Sequence, residues 1–228
     1  MLYLRSLSVT LLPLACIVIA PLCAQAQGMA RQAEQMRYQS CIAGIGSDAE
    51  AALEEAQTWR IEGGGWPAEV CEAQAFIALG DHAVGAGILE DLANQPPAGM
   101  VPQEQADFLT LAAESRALAG DHEQAMADYD RALDLVDDAV MALAGRARLN
   151  LDTGDWPALE RDANRLIQSA PHDAEGWFLR AERRLNTGDL DGAQTDMEAA
   201  RERAPERIDI LVLRGRINEA RRQANTPG

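Results

Sequence analysis

Three arginines and three aspartates recur in step along the second half of the chain. Arg146, Arg180 and Arg214 are evenly spaced, as are Asp128, Asp162 and Asp196, and each aspartate precedes an arginine by 18 residues. Opposite charges at a fixed spacing are the pattern of ion pairs repeated between equivalent units. The expected pairs are Asp128–Arg146, Asp162–Arg180 and Asp196–Arg214, each joining one unit to the next. Where an earlier arginine would stand the chain has Ala112, and Ile88 replaces the matching aspartate, so both members are lost together. If such a pair is buried, removing one partner strands a charge and costs several kcal/mol. The expected role is a structural register device between units, with ligand binding by these arginines as the alternative.

The other reactive side chains are few. Residues 1–26 read as an export leader: a short start with Arg5, an apolar run broken by Pro13 and Pro21, then Ala24 and Ala26 at cleavage spacing. Its apolar run is too short for a membrane helix, which needs about 20 residues. The expected mature chain is therefore periplasmic or secreted, with no direct membrane insertion once the leader is gone. Cleavage would leave two cysteines, Cys41 and Cys71, and an even pair in an exported protein reads as a disulfide. His82, His122 and His172 lie too far apart to complete a metal site with them. The chain has no Gly-x-Ser-x-Gly elbow, no His-Glu-x-x-His helix and no phosphate-cradling loop; Gly63–Gly65 lacks the lysine of one. No catalytic residue, cofactor or metal is expected.

Charge narrows the partners further. The formal net charge is −16 and every basic residue is an arginine. That balance opposes binding to nucleic acid, which needs a basic face to displace counterions. Residues 27–105 carry 3 arginines and 12 acids, whereas residues 174–228 carry 10 of each. Hydrophobic residues make up 47% of the chain but aromatics only 4%, which favours close-packed helices over sheets.

Four Gly-Asp pairs place those helices. They fall at 80–81, 120–121, 154–155 and 188–189, so the last three are evenly spaced and the first interval is longer. Glycine takes the left-handed conformation that ends one helix, and aspartate caps the next. Gln124, three residues after Asp121, completes the spacing of a capping box. The even spacing is that of stacked helix-turn-helix units, which repeat at about 34 residues. Residues 94–102, with three prolines and a glycine, form the linker that lengthens the first interval.

Around the turns, Trp177, Ala181, Gly188, Ala193, Ala200 and Pro205 resemble the tetratricopeptide-repeat (TPR) pattern. Leu143, Ala147, Gly154, Ala163 and Pro171 repeat it, as do Leu109, Ala113, Gly120, Ala125, Tyr129 and Ala132, with Tyr129 expected in the core. Arg116, Asn150 and Arg184 depart from it where a tyrosine is usual. Leu159 stands where its counterparts are alanine and is expected to loosen its hairpin. The resemblance implies an all-α fold, a right-handed α-solenoid. Its expected parts are a degenerate N-terminal pair (27–65), a TPR-like repeat (66–95), the linker (96–105), three TPR units (106–139, 140–173 and 174–207) and a C-terminal capping helix (208–224). Cys41 and Cys71 would then face each other between stacked first helices.

By the same resemblance, the first helices line a concave groove that takes an extended peptide or a helix from a protein partner. Its expected lining begins with Thr110 and Glu114, continues through Met141, Arg148 and Leu151, and ends with Phe178, Glu182, Leu185 and Arg216. The lining lacks the lysine and asparagine with which chaperone-binding TPR domains grip a terminal carboxylate. The expected function is a non-catalytic binding scaffold; the alternative is a subunit that self-associates in an envelope or secretion assembly.

Overall fold

The fold follows from how the turns are closed. A computed structural model describes residues 16–225, and within them the chain is helical throughout, in the order α1 (Cys16–Ile45), α2 (Ala49–Ile61), α3 (Gly65–Ala78), α4 (His82–Asn94), α5 (Pro102–Leu118), α6 (His122–Leu135), α7 (Val140–Thr153), α8 (Trp156–Ser169), α9 (Glu175–Asn186), α10 (Leu190–Arg203) and α11 (Ile208–Ala224). Residues 1–15 of the expected leader lie outside the described residues; from Cys16 onward the leader forms the start of α1. No described helix is long and apolar enough to cross a membrane.

Each Gly-Asp turn is built alike. Gly80, Gly120, Gly154 and Gly188 have φ between 76° and 91°, a conformation that side chains resist. The following aspartate amide donates to the carbonyl five residues back, on Phe76, Arg116, Asn150 and Arg184, each at 2.9 Å. Asp121, Asp155 and Asp189 then cap the next helix through their carboxylates, whereas Asp81 makes no such bond. The capping box expected at Gln124 is only half formed. Its side chain would accept from the Asp121 amide, but the Arg116 carbonyl already takes that donor.

Small residues set the helix spacing. Ala113, Ala125, Ala132, Ala147, Ala163, Ala181 and Ala193 are fully buried, so helices meet closely while leucines fill the space beside them. Leu159 does not loosen its hairpin; it is fully buried in the same cluster as Leu143, Leu166 and Leu179. At the front, α1 and α2 close around Trp59, whose indole donates to Glu34 at 2.8 Å beneath the Arg37 guanidinium.

Each second helix from α4 to α10 packs on the first helix of the next hairpin, and from α5 onward like helices meet on the first-helix side. α5 touches α7, α7 touches α9 and α9 touches α11, with no comparable contact among α6, α8 and α10. A stack held together along its first helices and splayed along its second bends toward the first. The Cys41–Cys71 disulfide ties α1 to α3 across a Cα–Cα distance of 6.3 Å.

The periodic charges pair in the opposite register to the one expected. Arg146 grips Asp162 with two bonds of 2.6 and 2.9 Å, and Arg180 grips Asp196 with two of 2.8 Å, in both cases 16 residues onward and within the same hairpin. Neither Asp128–Arg146 nor Asp162–Arg180 forms. The third nitrogen of each arginine reaches back to the preceding hairpin, to Asp130 at 2.6 Å from Arg146 and to Asn164 at 2.8 Å from Arg180. Each aspartate also accepts from the residue that breaks the TPR tyrosine pattern: Asp128 from Arg116, Asp162 from Asn150 and Asp196 from Arg184. Arg116 bridges back to Glu90 as well, so it takes over the linking role that Ala112 cannot fill. The expected Asp196–Arg214 pair is absent too. Arg214 is exposed on α11 and makes no ion pair among the described residues.

Two outcomes test this description by thermal unfolding. Arg180→Ala removes two bonds from buried Asp196 and leaves it only Arg184, and is expected to cost about 2 kcal/mol. Arg183→Ala removes a partly exposed pair with Glu160 and is expected to cost about 1 kcal/mol or less. Arg214→Ala is expected to leave the melting temperature unchanged, and a loss equal to that of Arg180→Ala contradicts the observed register. Replacing Cys41 and Cys71 by serine opens a loop of 30 residues and is expected to cost about 3 kcal/mol. A reductant should then lower the wild-type melting temperature to that of the variant.

Candidate functional site

The first helices carry a second charge row that the sequence reading catches only in pieces. Glu114, Arg148, Glu182 and Arg216 follow one another at one repeat's spacing on α5, α7, α9 and α11. They share the face along which these helices touch, so charges alternate down the concave side. Glu182 and Arg216 form an ion pair of 2.5 Å. Burial holds the Glu182 carboxyl above the usual carboxylate range, and Arg216 works against that. Arg148 pairs with Glu175 at 2.8 Å instead of with Glu114. Glu175 is also held by Arg207 at 2.6 Å, and the Arg207 guanidinium sits 4.8 Å from the centre of the Phe178 ring.

Glu114 is left over. It is half-buried and makes no hydrogen bond or ion pair among the described residues. Burial raises its carboxyl above the usual range, and the charge of Arg148 only partly opposes this. It opens onto a cavity of about 390 Å³ between α5, α6 and α7, lined also by Ala117, Leu118, His122, Tyr129, Gly145, Arg148, Leu149 and Asp152. Tyr129 is 2% exposed, yet its hydroxyl has no hydrogen-bond partner among the described residues. Gly145 makes room for that ring, since a Cβ there would lie 2.4 Å from the hydroxyl. Burial pushes the phenol well above its ordinary pKa, which keeps it a neutral donor.

The remaining expected lining residues differ in what they offer a ligand. Met141 is 60% exposed, while Leu151, Phe178 and Leu185 are half-buried and still face outward in part. Thr110 is buried and spends its hydroxyl on the Ala106 carbonyl at 2.7 Å. It is not free to bind anything. The sequence reading assigns Tyr129 to the core and misses its hydroxyl on the cavity. Gly145, which departs from the neighbouring units at its position, is the signal that could have revealed it. Among the described residues no three histidine, cysteine, aspartate or glutamate side chains converge as a metal site.

No protein-family model matches the chain, and no curated protein sequence matches it. Solved structures do resemble it. A tetratricopeptide repeat protein from Parabacteroides merdae ATCC 43184 is 18% identical with a TM-score of 0.59, over 68% of this chain and 59% of that one. TTC0263, a TPR protein of Thermus thermophilus, is 19% identical with a TM-score of 0.58, over 82% and 98%. YrrB, described as a TPR protein with an unusual peptide-binding site, is 11% identical with a TM-score of 0.59, over 83% and 97%. Such identities speak to fold alone, and together with the helical stack and its turns they establish that this chain has the tetratricopeptide-repeat fold, a right-handed α-solenoid.

Proposed function

We propose that the chain is a non-catalytic scaffold that holds an extended peptide or a helix of a partner protein against its concave face. One observation carries this reading. The first helices run side by side and present apolar spots, at Met141, Phe178 and Val212, between alternating charges. A peptide main chain lying along such a row meets apolar and charged contacts in alternation, while the second helices stay out of reach. The likeness to YrrB supports a peptide as ligand. The acidic charge favours a partner with basic residues, and nucleic acid is disfavoured for the same reason. The leader-like residues 1–26 and the Cys41–Cys71 disulfide support export to the periplasm or beyond, where disulfides persist.

A second reading, self-association, has its own support. α11 leaves Ile208, Leu211 and Val212 exposed, and the space over Gly215 is open where Ala147 and Ala181 are fully buried in their hairpins. Light scattering at micromolar concentration separates the two readings, a monomer favouring the scaffold.

The scaffold reading is tested with peptides selected from a random library on the folded protein. Met141 and Val212 are exposed, so Met141→Asp with Val212→Asp leaves the fold intact. The pair is expected to weaken selected peptides by about tenfold or more, since each loses an apolar contact to a buried charge. Full retention of every peptide by this variant counts against the groove.

A further inference from the structure

We propose that the cavity under Glu114 and Tyr129 is a specificity pocket for one basic side chain, arginine or lysine, of the bound partner, an inference that rests on the groove reading. Two unpartnered groups converge there. One is the half-buried Glu114 carboxylate; the other is the hydroxyl of Tyr129, a residue buried by its neighbours but bordering the cavity. Neither group is sealed in the core; both border the cavity, where a ligand can take up the hydrogen bonds they do not make internally.

The walls fit a long cationic side chain. Ala117, Leu118 and Leu149 offer apolar surface for a methylene stem, and Leu118 is 75% exposed at the rim. Asp152 adds a second acid at the mouth. The lone cation in the lining, Arg148, is held by Glu175 at 2.8 Å and so does not fill the acidic end. In the neighbouring step of the same row, Arg216 occupies the equivalent position on Glu182 at 2.5 Å. The chain therefore shows internally how a guanidinium sits on this carboxylate row; at the Glu114 step the equivalent residue, Arg148, is turned to Glu175 and only its charge acts on Glu114. An incoming arginine or lysine would supply the direct contact that Arg148 does not make.

The test titrates isotope-labelled protein by NMR with N-acetyl-arginine methylamide, N-acetyl-lysine methylamide and the neutral N-acetyl-citrulline methylamide. Saturable shifts centred on Leu118, Tyr129 and Leu149 are expected with the two cations, with citrulline about tenfold weaker because it lacks the charge-assisted bond. Glu114→Gln is expected to abolish the preference for cations over citrulline, and Tyr129→Phe to weaken both cations severalfold. Glu114→Gln is also expected to raise the melting temperature at neutral pH by about 2 °C, since it removes a half-buried unpaired charge. Below the usual carboxylate range, where both forms are neutral, that gain is expected to vanish. Equal binding of citrulline and arginine, shifts that map elsewhere, or an unchanged preference in Glu114→Gln overturns the pocket.

The groove is judged separately. If library peptides depend on Met141 and Val212 but not on Glu114, the groove stands and the pocket fails. If no peptide depends on Met141 and Val212, the groove fails, and the amino-acid probes still decide the pocket.

Discussion

Each hairpin in this chain can bury its apolar face only against the hairpin beside it, and that constraint organises everything else. Fully buried alanines let the helices pack closely, so that from α5 onward the first helices touch in series while each second helix packs on the next first helix and not on its own kind. A concave row of first-helix side chains is the geometric consequence. An open stack of this kind offers a line of contacts along one face, and that is the surface the proposed scaffold would use.

Charge serves two ends in this architecture. Inside the stack, Asp128, Asp162 and Asp196 are almost fully buried, and arginines satisfy them from the same hairpin while linking to the one before. Hydrogen bonding to Asp196 holds the Arg180 guanidinium firmly charged, which suits a structural clasp. On the concave face the alternation of Glu114, Arg148, Glu182 and Arg216 is only partly satisfied internally. The buried pairs fix how hairpins register, and the surface row leaves Glu114 without a hydrogen bond or ion pair among the described residues.

Much of the fold was legible because its turns are chemical signatures. A glycine forced to positive φ followed by a capping aspartate, recurring at even intervals, admits few other structures, and the paired cysteines fell where first helices stack. The ion-pair register was not legible, for a geometric reason. Arg146 lies 18 residues after Asp128 and 16 before Asp162, so a single repeat offers both spacings. Only the packing of α7 against α8 decides between them. Arg116, Asn150 and Arg184 looked like lapses from a family pattern because their partners are invisible until the hairpin closes. The site was harder still. Thr110 read as groove lining but is spent on its own helix, and Tyr129 read as core although its hydroxyl reaches a cavity.

The central claim is that the row of first helices is the recognition surface. Site-specific photo-crosslinking in the native cell tests it most directly, with the reactive group placed in turn at Met141 on α7 and at Thr195, exposed on α10. A partner captured from Met141 and not from Thr195 is the expected result. Capture from Thr195 alone would place recognition on the second helices and contradict the account.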